Sequence, residues 1–409
     1  MRQRIILLIF LLTGIYNLNS QTINLGDSTV VSLITCEPGD ALYAKFGHTA
    51  IRIRDTEGVD IVFNYGIFDF RTEHFYWKFM RGHTDYLLGV YPTENFLQEY
   101  RERGSTVWEQ ELDLTQGEKR KLIELLTINY LPQNRMYRYN FVYDNCATRP
   151  YEMISKSLSG VLVGDNQLEE DSYRNMITAY LSDVPWAEVG INLLFGVDAD
   201  RNVGMQSSVF LPEKLKDVIQ RSKIMSLNNG LQERKIVKSV KMLVKGEPVT
   251  ETAATTFWIL HPFTISLIWL IIGIILMIFK TNMDDIANKI FDTILYLTTG
   301  LGGMLIFFFM FFSEHPITGS NLNILWLNPM NIMLALMLWK RSPRKFFFFY
   351  NVIYLLLIVL YVVITLFISH GTLTSIIPLL ILVLVRVIWR GERLLHILFI
   401  PTDKGLQFR

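Results

Sequence analysis

Hydrophobic and polar positions alternate early in the chain and later give way to helical spacing. "VVSLITC" (30–36) is an apolar run of strand length. "HTAIRIRD" (48–55) places Ala50 and Arg52 on one face and Ile51 and Ile53 on the other, and the turn "DTEG" leads into a third strand, "VDIVFNYGIFDF" (59–70). Thr115 and Glu118 have the spacing of a capping box, with Leu122, Ile123, Leu125 and Leu126 following at helical intervals. "MYRYNFVYD" (136–144) alternates again, which predicts a strand with Tyr137, Tyr139, Phe141 and Tyr143 on one face. Asp144 or Asn145 can then cap a helix from Cys146 to about Leu158, closed by Gly160. Residues 21–250 therefore predict an α+β domain with a small, mostly antiparallel sheet.

Beyond residue 256 the pattern changes to long apolar runs. Segments near 257–279, 290–312, 323–339, 346–368 and 373–389 are each about long enough to cross a bilayer, giving an all-α transmembrane bundle of about five helices over 257–389. Lys340, Arg341, Arg344 and Lys345 fill one loop, and Arg390, Arg393 and Arg409 lie in a predicted cytoplasmic tail, 390–409. The alternate loops "SEHPITGSN" and "SHGT" carry no Lys or Arg, so they and residues 21–256 belong outside the cytoplasm. Lys235, Lys238, Lys241 and Lys245 run against that rule, which exported folded domains often escape. The N-terminus agrees with export. Arg2 and Arg4 precede a short apolar run and small Ser20, the order of a cleavable signal peptide over 1–20.

Charge narrows the function classes. A net charge of +1 lacks the basic excess of a nucleic-acid-binding surface. There is no Gly-rich phosphate loop and no Cys/His spacing for zinc, so neither a cofactor nor a metal is implied.

The chain has two cysteines, Cys36 and Cys146. In an exported protein they are a candidate disulfide. Cys146 is equally a candidate nucleophile, because a helix start stabilises a thiolate. His48, behind Gly47 at the start of a strand, is the candidate base, with a buried structural histidine as the alternative. Asn64 on the next strand is the candidate third group. An oxyanion donor could come from the Cys146 N–H, Asn145 or Tyr143. Asp144 reads as a cap, and Arg149 as a partner for a phosphate head group or a salt bridge. "PWAEVGINLLFGV" (185–197) is apolar enough to dip into a membrane interface or to pack in a core. His261 and His315 fall at the outer membrane boundary, as anchors or substrate contacts, and Arg386 is placed to snorkel to the cytoplasmic surface.

"TCEPGDALYAKFGHTAIRIRD", "FNYGIFDF", "FVYDNCATR" and "SEHPITGSNLNILWLNP" together resemble the Bacteroides-type lipoprotein N-acyltransferase family over nearly the whole chain. The resemblance implies a permuted papain-like exported domain, with the histidine strand before the cysteine helix, at the bacterial inner membrane. It implies Cys146 as nucleophile and His48 as base, a phospholipid as acyl donor and a diacylated lipoprotein as acceptor. The same pair could instead serve a membrane-anchored cysteine peptidase or amidase acting on cell wall. A non-enzymatic binding domain on a membrane stalk is a third reading.

Overall fold

The computed structural model describes residues 28–164, 171–226, 232–246, 258–280, 282–340, 344–367 and 374–399. The expected signal peptide, the loop at Arg341, the "SHGT" loop and Arg409 lie outside them. Seven strands form the main sheet: β1 (Val30–Cys36), β2 (His48–Arg54), β3 (Asp60–Ile67), β4 (Asp85–Pro92), β5 (Val107–Leu112), β6 (Met136–Arg138) and β7 (Val237–Val244). Their order is β7-β5-β1-β2-β3-β4-β6, and every neighbouring pair is antiparallel. Five helices of this domain bear on the site: α1 (Phe75–Met80), α2 (Thr93–Glu102), α3 (Gln116–Tyr130), α4 (Thr148–Ser157) and α5 (Pro185–Leu194).

The alternation along β2 decides what covers each face of the sheet. Ile51 and Ile53 join Phe63, Leu122 and Ile154 beneath α3 and α4, whereas Ala50 joins Ile34, Val62, Phe96 and Tyr100 beneath α2. Small Ala50 leaves room for the aromatic side chains of α2 on that face. The capping box forms as expected, with Thr115 N–H donating to Glu118 Oε2 (2.9 Å) and Glu118 N–H to Thr115 Oγ1 (3.3 Å). The lysines near 235–245 belong to this folded domain: Lys238 on β7 pairs with Glu111 on β5 at 2.7 Å. That explains why they escape the charge rule.

The strand expected over 136–144 stops at Arg138. Asn140 turns the chain, its Oδ1 accepting the N–H groups of Val142 and Tyr143 at 3.1 and 3.0 Å. An asparagine side chain that mimics a turn in this way wins over strand alternation. The aromatic residues consequently part: Tyr137 is buried, while Tyr143 is 60% exposed.

Among the described residues four helices are long and apolar enough to cross a membrane: α6 (Pro262–Phe279), α7 (Ile286–Phe312), α9 (Arg344–Phe367) and α10 (Ile377–Phe399). The last runs beyond the expected limit of 389. The third expected segment, 323–339, is instead a 3-10 turn (Leu322–Leu325), an irregular stretch and α8 (Asn331–Met337). It still descends beside α7. Leu327 packs against Gly303, Ile332 against Gly300, and Trp339 Nε1 donates to Thr293 Oγ1 at 2.8 Å.

Backbone without helical hydrogen bonds is tolerated at membrane depth only where protein satisfies it. Here Tyr354 donates to the Trp326 carbonyl (2.5 Å), and Trp326 Nε1 and Tyr361 both donate to Asn323 Oδ1 (3.1 and 3.0 Å). Asn331 is held by Thr299, Tyr350 and Tyr354. Arg386 does not snorkel. It is buried, with Nε donating to Asp292 Oδ1 at 2.7 Å and both terminal nitrogens donating to Asn288 Oδ1 at 3.1 Å, while Arg390 takes the other carboxylate oxygen. A buried acidic partner is a better resting place for a guanidinium within the bundle than a stretch towards distant water.

Two arms fasten the exported domain to the outer ends of the helices. Beyond α1, Glu314 N–H donates to the Arg81 carbonyl (2.9 Å) and Ser313 Oγ to the Met80 carbonyl (2.8 Å). At α5, Trp186 Nε1 donates to the Leu260 carbonyl (2.8 Å), and Leu193 O accepts from Asn321 (2.8 Å) and Asn323 (3.2 Å). The apolar stretch 185–197 is thus a docking element on the bundle.

Candidate active site

Three backbone features bring the candidate residues together. Gly47 has φ +73°, and a Cβ there would lie 2.6 Å from the Cys36 carbonyl oxygen, so the chain turns tightly into β2 and places His48 opposite Cys36. On β3 the register with β4 slips between Asn64 and Ile67, and Gly66 sits at φ +92° inside that irregularity. A Cβ on Gly66 would come within 3.3 Å of Cys146 Cβ and 3.6 Å of His48 Cε1. The missing side chain is what lets thiol and imidazole meet. A glycine inside a strand pattern was the available signal for this role.

Cys146 occupies the turn just before α4, so the helix begins two residues later than expected. Asn145 builds that turn. Its Oδ1 accepts the N–H groups of Ala147 (2.8 Å) and Thr148 (2.9 Å), and its amide donates to the carbonyls of Phe141 (2.7 Å) and Phe210 (2.8 Å). Both amide protons are used, so Asn145 has none left for a substrate. The Cys146 N–H has no acceptor among the described residues.

His48 Nε2 lies 2.5 Å from Asn64 Oδ1, and the thiol of Cys146 also bonds the ring. Asn64 in turn donates to the Tyr91 hydroxyl. With Nε2 committed to a carbonyl oxygen, Nδ1 is the ring nitrogen left for the thiol. Burial alone would lower the imidazole pKa. The Cys146 charge, its hydrogen bond and that of Asn64 more than offset this, so the pKa of His48 is raised above 6.5. The arrangement can accept a proton from sulfur and hold it.

Other expected residues fall elsewhere. Tyr143 packs edge-on against Tyr173 at the surface. Arg149 makes a bidentate pair with Asp144 (2.5 and 2.7 Å) and lies 3.6 Å over the Tyr137 ring, the salt-bridged alternative. A cleft of about 700 Å³ runs along the outer side of α4 past Tyr143 and Arg149, but neither Cys146 nor His48 lines it. His315 joins the docking contact, its Nε2 2.6 Å from the Phe79 carbonyl, and burial lowers its pKa. His261 caps α6 through Nδ1.

One residue was missed. The Tyr137 hydroxyl is buried with no hydrogen-bond partner and lies 4.0 Å from where a Gly66 Cβ would stand. It shares that spot with Cys146. Alternation alone puts Tyr137 and Tyr143 on one face; the turn at Asn140 separates Tyr137, which lies beside Cys146, from Tyr143, which does not. Among the described residues no group of three His, Cys, Asp or Glu side chains could hold a metal.

Cys36 and Cys146 are both free thiols. Residues 17–179 match the family model of the Lnb N-terminal periplasmic domain, and residues 254–392 that of the Lnb transmembrane domain. Neither the curated proteins nor the solved structures give a match. Two domain matches in this order, over an exported sheet domain fastened to a multi-pass bundle, mean that the chain belongs to the Lnb-type lipoprotein N-acyltransferase family, with its N-terminal domain periplasmic.

Proposed function

We propose that this protein moves an acyl chain from a phospholipid to the amino-terminal amine of a diacylglyceryl-cysteine lipoprotein, through a thioester on Cys146. His48 Nδ1 takes the thiol proton, and sulfur attacks the ester carbonyl carbon. As the tetrahedral intermediate collapses, the C–O bond breaks, His48 returns the proton to the leaving oxygen and a lysophospholipid departs. The acceptor amine then attacks the thioester carbon. The C–S bond breaks, His48 carries a proton from nitrogen to sulfur, and the thiol is restored.

Asn64 holds the imidazole in the tautomer this requires. The Cys146 N–H and the Tyr137 hydroxyl are the donors free to stabilise the oxyanion.

The observation that carries this reading is the His48–Cys146 pair in a domain bonded to the outer ends of membrane helices, where both lipid substrates lie. Intact-protein mass spectrometry after incubation with phospholipid tests it. One hydroxylamine-labile acyl chain on Cys146, discharged by a diacylated lipopeptide with a free amine but not by one with a blocked amine, is expected. No thioester, together with cleavage of peptidoglycan fragments, would make the protein a cell-wall hydrolase.

A further inference from the structure

A surface of exposed aromatic side chains leads from the outer membrane boundary towards Cys146. Tyr76 is 75% exposed, and Tyr43, Phe70, Trp77 and Phe79 are exposed beside it. A contiguous aromatic surface of this kind marks an interaction site, and Trp and Tyr favour the membrane interface.

The membrane end is fixed: Trp77 packs on Phe308 of α7 (5.5 Å), and Phe79 meets His315, which stacks on Phe309. Lys78 is the single charged residue of α1, placed as in an interfacial segment whose lysine reaches the head groups. The other end is fixed too. Phe70 packs on Phe68 (4.8 Å), Phe68 stacks on Tyr86 (4.9 Å), and Tyr86 on Tyr139 (4.1 Å), within the cluster that holds Cys146. Tyr43, shortly before His48, packs against both Phe68 and Phe70.

We propose that this aromatic surface, from α1 through Phe70 to Tyr43, seats the acyl chain of an outer-leaflet phospholipid and leads its ester to Cys146. The proposal rests on the acyl-transfer reading and adds where the donor lies. The occupant is a hydrocarbon chain because the surface offers ring faces and is continuous with the exposed Phe311 and Phe312 of α7.

Full-length protein in nanodiscs of phosphatidylethanolamine and phosphatidylglycerol, with photoreactive benzoylphenylalanine placed at Phe70, at Tyr76 or at Glu57, tests it. Glu57 is exposed in the β2–β3 turn, at the far end of that hairpin from the site. Phospholipid adducts are expected at Phe70 and Tyr76 and not at Glu57. Peptide adducts, or none, at Phe70 and Tyr76 while the Cys146 thioester still forms would overturn the proposal. Lipid adducts without any thioester would keep the lipid surface and remove the acyl-transfer reading. In a second measurement, Phe70→Ser with Tyr43→Ser should slow thioester formation about tenfold or more at limiting lipid. Phe70→Leu with Tyr43→Phe should restore it; equal loss in both pairs would also overturn the proposal.

Discussion

His48 Nε2 and Asn64 Oδ1 meet at 2.5 Å across two adjacent strands, at the place where β3 loses its regular register with β4. The contact leaves Nδ1 for sulfur. A hydrogen bond to a charged group is worth about 1.5–3 kcal/mol. Asn64→Ala should therefore slow thioester formation about ten- to a hundredfold. His48→Ala removes the proposed base and should cost about a hundred- to ten-thousandfold. Single-turnover kinetics on both variants check the ranking, and a larger loss in Asn64→Ala would contradict the assigned roles.

The titration of His48 gives a second expectation. Burial lowers its pKa, but the charge and hydrogen bond of Cys146 and the bond to Asn64 raise it further, so the net shift is upward. A raised folded-state pKa adds stability that is fully present below the ordinary value near 6.5 and lost as pH rises through the folded value. Histidine-labelled NMR should show a midpoint above 6.5, falling in Cys146→Ser, which removes the largest raising contribution. An unchanged midpoint in that variant would separate the two residues.

Tyr137 separates catalysis from stability. Its hydroxyl is buried without a partner, so Tyr137→Phe breaks no hydrogen bond and removes a desolvated group. The melting temperature should hold or rise. Loss of an oxyanion donor typically costs about a hundred- to a thousandfold in rate. Unchanged activity, or a fall in both activity and melting temperature, would assign Tyr137 a packing role alone.

Cys36 tests the disulfide alternative from another side. It is fully buried, burial pushes its thiol pKa well up, and it bonds Tyr100. Cys36→Ser should retain activity and Cys146→Ser abolish it, with no acyl group found on Cys36. A bridged Cys36–Cys146 peptide in a non-reducing digest would reverse this.

Much of the fold was legible where local pattern and burial agree. The strands at 30–36, 48–54 and 60–67 and the capping box at Thr115 follow from periodicity and caps. What stayed hidden depends on side chains that satisfy the backbone. Asn140 ended a strand that alternation would have continued, and Asn145 spent its amide building the cysteine turn. Arg386 looked like a snorkelling residue because Asp292 lies nearly a hundred positions away in sequence.

The broken segment 322–337 bears on how the protein is made. Outside the bundle, its unpaired peptide groups and the side chains of Asn323 and Asn331 would face hydrocarbon, at several kcal/mol for each unsatisfied group. Its partners Tyr350, Tyr354 and Tyr361 all lie on α9, which emerges from the ribosome afterwards. α7 alone supplies only part of these partners, through Thr299, so the segment is fully satisfied only once α9 has joined it, and the two are expected to enter the bilayer as one unit. A polar substitution among those tyrosines would act first on insertion yield, well before any chemistry at the thiol.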